Sequence, residues 1–213
     1  MNYKYLFLAL LSLGIFAEEK KPNVIIFLVD DLGWADISLR GADIDTPAID
    51  SLFTDGMTMD RFYATPICSP TRAALMTGRD PMRLGVAYGV VMPWMNNGVH
   101  PDEHFMPESF QTAGYQTAMV GKWHLGHAQE TFHPNSRGFD DFYGHLHTEV
   151  GYFPPFANQG GVDFQRNGLT ISDEGYETFL LADEASRWPA ISPSAVSRTP
   201  LSLASRPPGC GVV

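Results

Sequence analysis

Val24-Ile25-Ile26-Phe27-Leu28-Val29-Asp30-Asp31 is an apolar, largely β-branched run that ends in two adjacent carboxylates. A run with no polar break has the pattern of a strand covered on both faces, as in a parallel sheet with helices on either side. Ligands of open α/β sheets sit beyond the carboxyl ends of the strands, which is where Asp30 and Asp31 fall. Neighbouring carboxylates repel unless a cation lies between them, so a hard divalent metal is a natural partner. Asp-Asp-Leu-Gly is also good turn chemistry, and a solvated loop is the plainer alternative.

A second strand is expected at Tyr115–Val120, running into Gly121-Lys122-Trp123-His124-Leu125-Gly126. If it lies parallel to the first, Lys122 and His124 emerge at the same sheet edge as Asp30 and Asp31. Residues i and i+2 of an extended segment share a face, so the two would point the same way and Trp123 into packing. The alternatives are a solvent-facing lysine and a structural histidine, and the convergence of strand ends favours a site.

Between these strands lies Cys68-Ser69-Pro70-Thr71-Arg72-Ala73-Ala74-Leu75-Met76-Thr77-Gly78-Arg79. Ser69 suits an N-cap, Pro70 the first helical position and Gly78 the C-terminal stop. Cys68 would then face unpaired N–H groups at the positive helix end, where an anion settles. Arg72 adds a planar cation matched to sulfate or phosphate. An ordinary capped helix with a buried thiol is the other reading.

The remaining elements carry less chemistry. Thr46–Phe53 reads as a helix with a core-facing stripe of Ile49, Leu52 and Phe53, and Met57–Tyr63 as a strand leading to Cys68. Gly85–His104 reads as a loop over or beside the site, with His100 and His104 as surface histidines. Pro107–Ala113 is a short helix. Arg137–Gly144 reads as packing and turn, and His145 and His147 lack a third ligand at zinc spacing. Thr178–Trp188 is an amphipathic helix.

The 213 residues suffice for one α/β domain, and a net charge of −10 argues against a nucleic-acid partner. Lys4, the apolar Leu6–Phe16 and small Ala17 read as a signal peptide over residues 1–17, too short for a membrane anchor. A secreted or periplasmic location is the expectation, and two cysteines, Cys68 and Cys210, make no disulfide framework. Residues 18–187 read as the catalytic part. Residues 188–213, rich in Ser, Pro, Ala and Arg, read as a disordered or frame-shifted tail.

Together these segments resemble the sulfatase family of the alkaline-phosphatase-like superfamily, over about residues 22–187. The resemblance rests on Cys68, Pro70 and Arg72 with Thr77-Gly78-Arg79, on Gly114-Tyr115 and Thr117 with Gly121–Gly126, and on Pro22-Asn23-Val24 with Asp30–Gly33. It implies a mostly parallel central sheet flanked by helices, incomplete at its C-terminus, and hydrolysis of an aryl or carbohydrate sulfate ester. It further implies that a maturation enzyme oxidises Cys68 to Cα-formylglycine, whose hydrate attacks sulfur. Lys122 and Arg72 would bind the sulfate, His124 would act as base, and Asp30, Asp31 and residue 68 would bind calcium. Later family segments that complete the metal shell and serve the leaving group have no counterpart here, so an inactive or unstable product is expected. The rivals are a phosphatase or phosphodiesterase of the same superfamily and a non-catalytic anion-binding fragment.

Overall fold

The structure, a computed structural model, describes residues 21–190; the expected signal peptide, Cys210 and most of the expected tail lie outside them. The helices are α1 (Pro47–Asp55), α2 (Cys68–Thr77), α3 (Met106–Thr112) and α4 (Glu177–Ala190). The strands are β1 (Ala118–Lys122), β2 (Asp141–His145), β3 (Gln165–Arg166) and β4 (Leu169–Thr170), in that order across one mixed sheet. β1 and β2 are parallel, with Gly121 opposite Gly144 and Lys122 opposite His145; β3 and β4 continue antiparallel.

Side-chain alternation in the two parallel strands sets the layers. Met119 and Phe142 join Ala73 and Met76 of α2 in one core, together with Phe105, Trp123 and Phe139. Val120 and Tyr143 face the opposite way, toward Leu180 and Leu181 of α4 and toward Phe164. Helices therefore cover both faces, the α/β arrangement expected. α2 stops where the sequence indicates: Gly78 takes a left-handed φ of 66° and its N–H bonds the Ala74 carbonyl.

Several local expectations are corrected. Residues 21–28 have no ladder. Lys21 Nζ donates to the Ala113 carbonyl ahead of β1, and Asp30 meets Lys122 at the end of β1. The segment thus runs beside β1 in the parallel sense, but Val24–Phe27 stay exposed. An all-apolar strand is held when layers cover both faces, and none of the described residues does so here.

Met57–Tyr63 forms no strand and is exposed, and Leu52 of α1 points to water at 70 % exposure, so the Ile49–Leu52–Phe53 stripe is not core. Instead α1 is tied by polar bonds from Ser38 and Thr46 to Asp50. Residues 141–144, expected as packing and turn, lie instead in the central strand Asp141–His145. The β-rich Phe142-Tyr143 pair was masked by glycines on either side. α4 continues through Pro189 to Ala190, past its expected stop.

Candidate active site

The site forms where the N-terminus of α2, the end of β1 and the end of the 21–30 segment converge. Arg72 and Lys122, 3 % and 5 % exposed, both reach Asp30 Oδ2, at 2.9 Å and 2.8 Å. Arg72 also donates to the Lys122 carbonyl, which locks α2 to β1. Burial alone would raise the Asp30 pKa, but hydrogen bonds and charge from Lys122 and Arg72 outweigh it and hold the carboxyl below its usual range. For Arg72 burial is the larger influence and pulls its pKa down despite Asp30; a guanidinium starting so high remains a cation. Two cations against one carboxylate leave one uncompensated positive charge, in a chain of net charge −10.

Cys68 opens the first turn of α2 as a free thiol, and its S–H donates to Asp30 Oδ1 at 3.7 Å. The cap is Ile67 rather than Ser69. Ser69, fully buried, instead donates to the His124 carbonyl at 2.8 Å and accepts from the Val91 N–H at 3.1 Å. Its role as a three-way tie was hidden because Ser before Pro reads as a cap whatever the tertiary partners are.

His124 departs from the simple alternation. It follows the end of β1 with φ 59°, in the left-handed region that ordinary residues avoid. Its Nε2 lies 3.2 Å from the Val91 carbonyl, so this nitrogen carries the proton, while buried Nδ1 has no hydrogen-bond partner. Burial, then the charges of Lys122 and Arg72, push its pKa down to about 3. His124 is thus a neutral ring with a free lone pair. Arg72 Nε is likewise buried and unpartnered, and unmet polar atoms of this kind are what a bound ligand satisfies.

Asp31 does not join the cluster. It is exposed, in a left-handed turn with φ 57°. Among the described residues no group of three or more His, Cys, Asp or Glu is arranged to hold a metal. Two carboxylates supply at most four oxygens where calcium takes about six to eight, and Asp30 is already engaged by two cations. The described donors therefore do not fit a complete calcium shell. His100 and His104 are exposed, as expected of loop histidines.

A second buried cluster sits one strand away. His145 Nδ1 donates to the His147 carbonyl, and its Nε2 is 3.6 Å from Glu177 Oε1. Asp163 accepts from the N–H groups of Leu146 and His147. Burial, then Lys122 and Arg72, push His145 down to about 3, and burial raises Glu177 to about 7 and Asp163 to about 6.

These shifts have opposite linkage. From pH 6.5 downward the unfolded chain takes up the His124 and His145 protons and the folded chain does not, so acid costs stability. Glu177 and Asp163 are protonated earlier when folded than their unfolded values of 4.5 and 3.8, so acid restores stability across that range. His127 and His147 are held down as well, by burial and, for His127, by the neighbouring His147. Four depressed histidines outnumber the two raised carboxylates, so stability should fall as the pH drops from about 6.5. Thermal melts that stay level from pH 7 to pH 4 would refute the buried neutral assignments.

The comparisons with known proteins agree with this geometry. A family model described as Sulfatase matches residues 22–188. The N-acetylgalactosamine-6-sulfatase of Sus scrofa is 40% identical over 163 residues, covering 72% of this chain and 30% of the relative. This chain thus spans about a third of that relative's length. Among solved structures, Ps i-CgsB in complex with k-i-k-neocarrahexaose superposes with a TM-score of 0.70 at 33% identity, over 78% of this chain and 40% of that one. The PsFucS1 sulfatase from Pseudoalteromonas sp. gives a TM-score of 0.65 at 27% identity, over 81% and 41%. With the family model spanning both signatures and the α2–β1 site they build, the chain belongs to the sulfatase family, a lineage of sulfuric ester hydrolases.

Proposed function

We propose that this chain carries the sulfate-binding, nucleophile-bearing part of a hydrolase acting on sulfated carbohydrate. The observation that carries the reading is the pair of buried cations, Arg72 and Lys122, held on Asp30 beside residue 68. Carbohydrate is favoured by the names of the relatives, an N-acetylgalactosamine-6-sulfatase and a neocarrahexaose complex.

Were residue 68 oxidised to Cα-formylglycine, its hydrate would supply an oxygen nucleophile for sulfur with the alcohol as leaving group, and Arg72, Lys122 and His124 are the residues placed to serve it. Lys122 and Arg72 hold the sulfate oxygens and stabilise the charge that builds on them. His124 Nδ1 offers its lone pair to a hydroxyl proton as sulfate is expelled. The negative charge of a bound sulfate ester offsets the push of Lys122 and Arg72 on His124 and raises its pKa toward proton uptake. The balance is ester plus water giving alcohol, sulfate and a proton. Asp30 and Asp31 can contribute at most part of a calcium shell, and the roles above are those of the two cations and the histidine.

Calorimetric titration of the purified chain with inorganic sulfate tests this reading. The parent should bind, and Lys122→Met should weaken binding at least about tenfold, since one of two buried cations is lost. Circular dichroism on the same variant establishes that it is folded. Equal affinity in a folded Lys122→Met would sink the proposal.

A further inference from the structure

We infer that Ser69 is a positioning residue of this site: its hydroxyl ties His124 to the backbone beside residue 68 and keeps the His124 Nδ1 lone pair free for a proton. This rests on the hydrolase reading above, in which Nδ1 takes that proton.

Ser69 is fully buried, so bulk water cannot replace its partners. Its hydroxyl donates to the His124 carbonyl at 2.8 Å, and its oxygen accepts the Val91 N–H at 3.1 Å. Val91, itself 2 % exposed, takes the His124 Nε2–H on its carbonyl at 3.2 Å. The three residues therefore close a ring of contacts. Within it one hydroxyl holds His124 twice, directly at its carbonyl and through Val91 at its imidazole. The hydroxyl is free for this because the helix cap is Ile67 and no side chain bonds there.

The ring of contacts fixes the tautomer and the backbone together. A neutral imidazole carries one proton and a carbonyl can only accept, so the Val91 carbonyl selects the Nε2–H form. Val91 is anchored in turn by its N–H on Ser69. The backbone of His124 sits at φ 59°, a conformation that persists only where its surroundings over-determine it. Its N–H bonds the Leu146 carbonyl at 3.1 Å and its C=O bonds Ser69, so the peptide units on both sides of the residue are gripped. Cys68 and Ser69 are consecutive in the first turn of α2. A shift of the helix thus carries residue 68 and the tie on His124 as one unit.

Ring-nitrogen NMR spectra of the histidine-labelled full chain test the inference, with His124→Gln identifying the His124 signals. In the parent at pH 7, His124 should show Nε2 protonated and Nδ1 bare. In Ser69→Ala the Nδ1–H form should rise about two- to tenfold, the equilibrium effect of one lost hydrogen bond. Ser69→Thr restores the hydroxyl and should restore the parent tautomer. If alanine or threonine prevents folding, Ser69→Cys keeps the shape with only weak bonds and carries the same expectation as alanine. Inorganic sulfate, followed by calorimetry, should bind Ser69→Ala nearly as it binds the parent, because Arg72 and Lys122 stay on Asp30. An unchanged tautomer in the folded variant overturns the inference, whatever happens to stability, and leaves the anion site standing. A loss of sulfate binding as large as that of Lys122→Met also overturns it, since the hydroxyl would then serve the cations and not the histidine. If the parent binds no sulfate at all, the hydrolase reading falls and this inference with it.

Discussion

Asp30→Asn is expected to lower stability by about 3–5 kcal/mol, because it removes one partner of a buried ion cluster and leaves the others charged. Asn keeps the shape and the hydrogen-bond acceptor but not the charge. Arg72 and Lys122, both almost fully buried, then repel each other without a counter-ion. For a chain of this length the melting midpoint should fall by about 10 °C. Asp31→Asn, one residue on and exposed, should change stability by no more than about 0.5 kcal/mol. Sulfate gives the prediction a second arm. With the carboxylate gone, the anion becomes the counter-charge of both cations, so sulfate should stabilise Asp30→Asn more than the parent through mass action. An Asp30→Asn chain that melts with the parent, and gains nothing extra from sulfate, would mean that the cations are hydrated rather than held by Asp30.

Gly144→Ala is expected to abolish the soluble fold or cost about 4 kcal/mol or more, at the extreme of single-substitution effects. An added Cβ would lie 2.1 Å from the Gly121 carbonyl oxygen and 2.7 Å from its carbon, across the parallel β1–β2 pair. The obstacle is backbone on a central strand, which has no room to shift, and Gly144 has φ 151°, where side chains are strained. Lys122 follows Gly121 directly, so the same displacement would pull the ammonium away from Asp30. Gly160→Ala is the control: its φ is 91° but nothing lies within 4 Å of the added carbon, so only the local cost of about 1 kcal/mol applies. Soluble yield and thermal melts of the two variants separate clash from backbone preference. Equal behaviour would show that β1 and β2 do not approach as closely as described.

Neighbouring residues were enough to read some features and not others. The α2 stop at Gly78, the burial of Trp123, the loop character of Gly85–His104 and the gathering of Asp30, Arg72 and Lys122 were all legible from the chain. The first three depend on short-range facts, a left-handed cap, alternation along a strand and turn-forming composition; the fourth follows from two segment ends reaching one sheet edge, although residues 21–28 form no ladder. The failures share a cause as well. Ser69 reads as a cap from its neighbours, yet its hydroxyl is spent on His124 and Val91, more than twenty residues away. Leu52 reads as core from its periodicity, yet a helix face is buried only where another element comes to cover it. His124 does lie under the charges of Lys122 and Arg72, but its positive φ, its bond to Val91 and its unpaired Nδ1 could not be read from alternation. Residue type and spacing thus settled which groups are charged, which are apolar and which segment ends meet. Burial, tautomer and the actual partner of each polar atom depend on which distant segments pack together, because desolvation and hydrogen bonding belong to the assembled layers and not to the local chain.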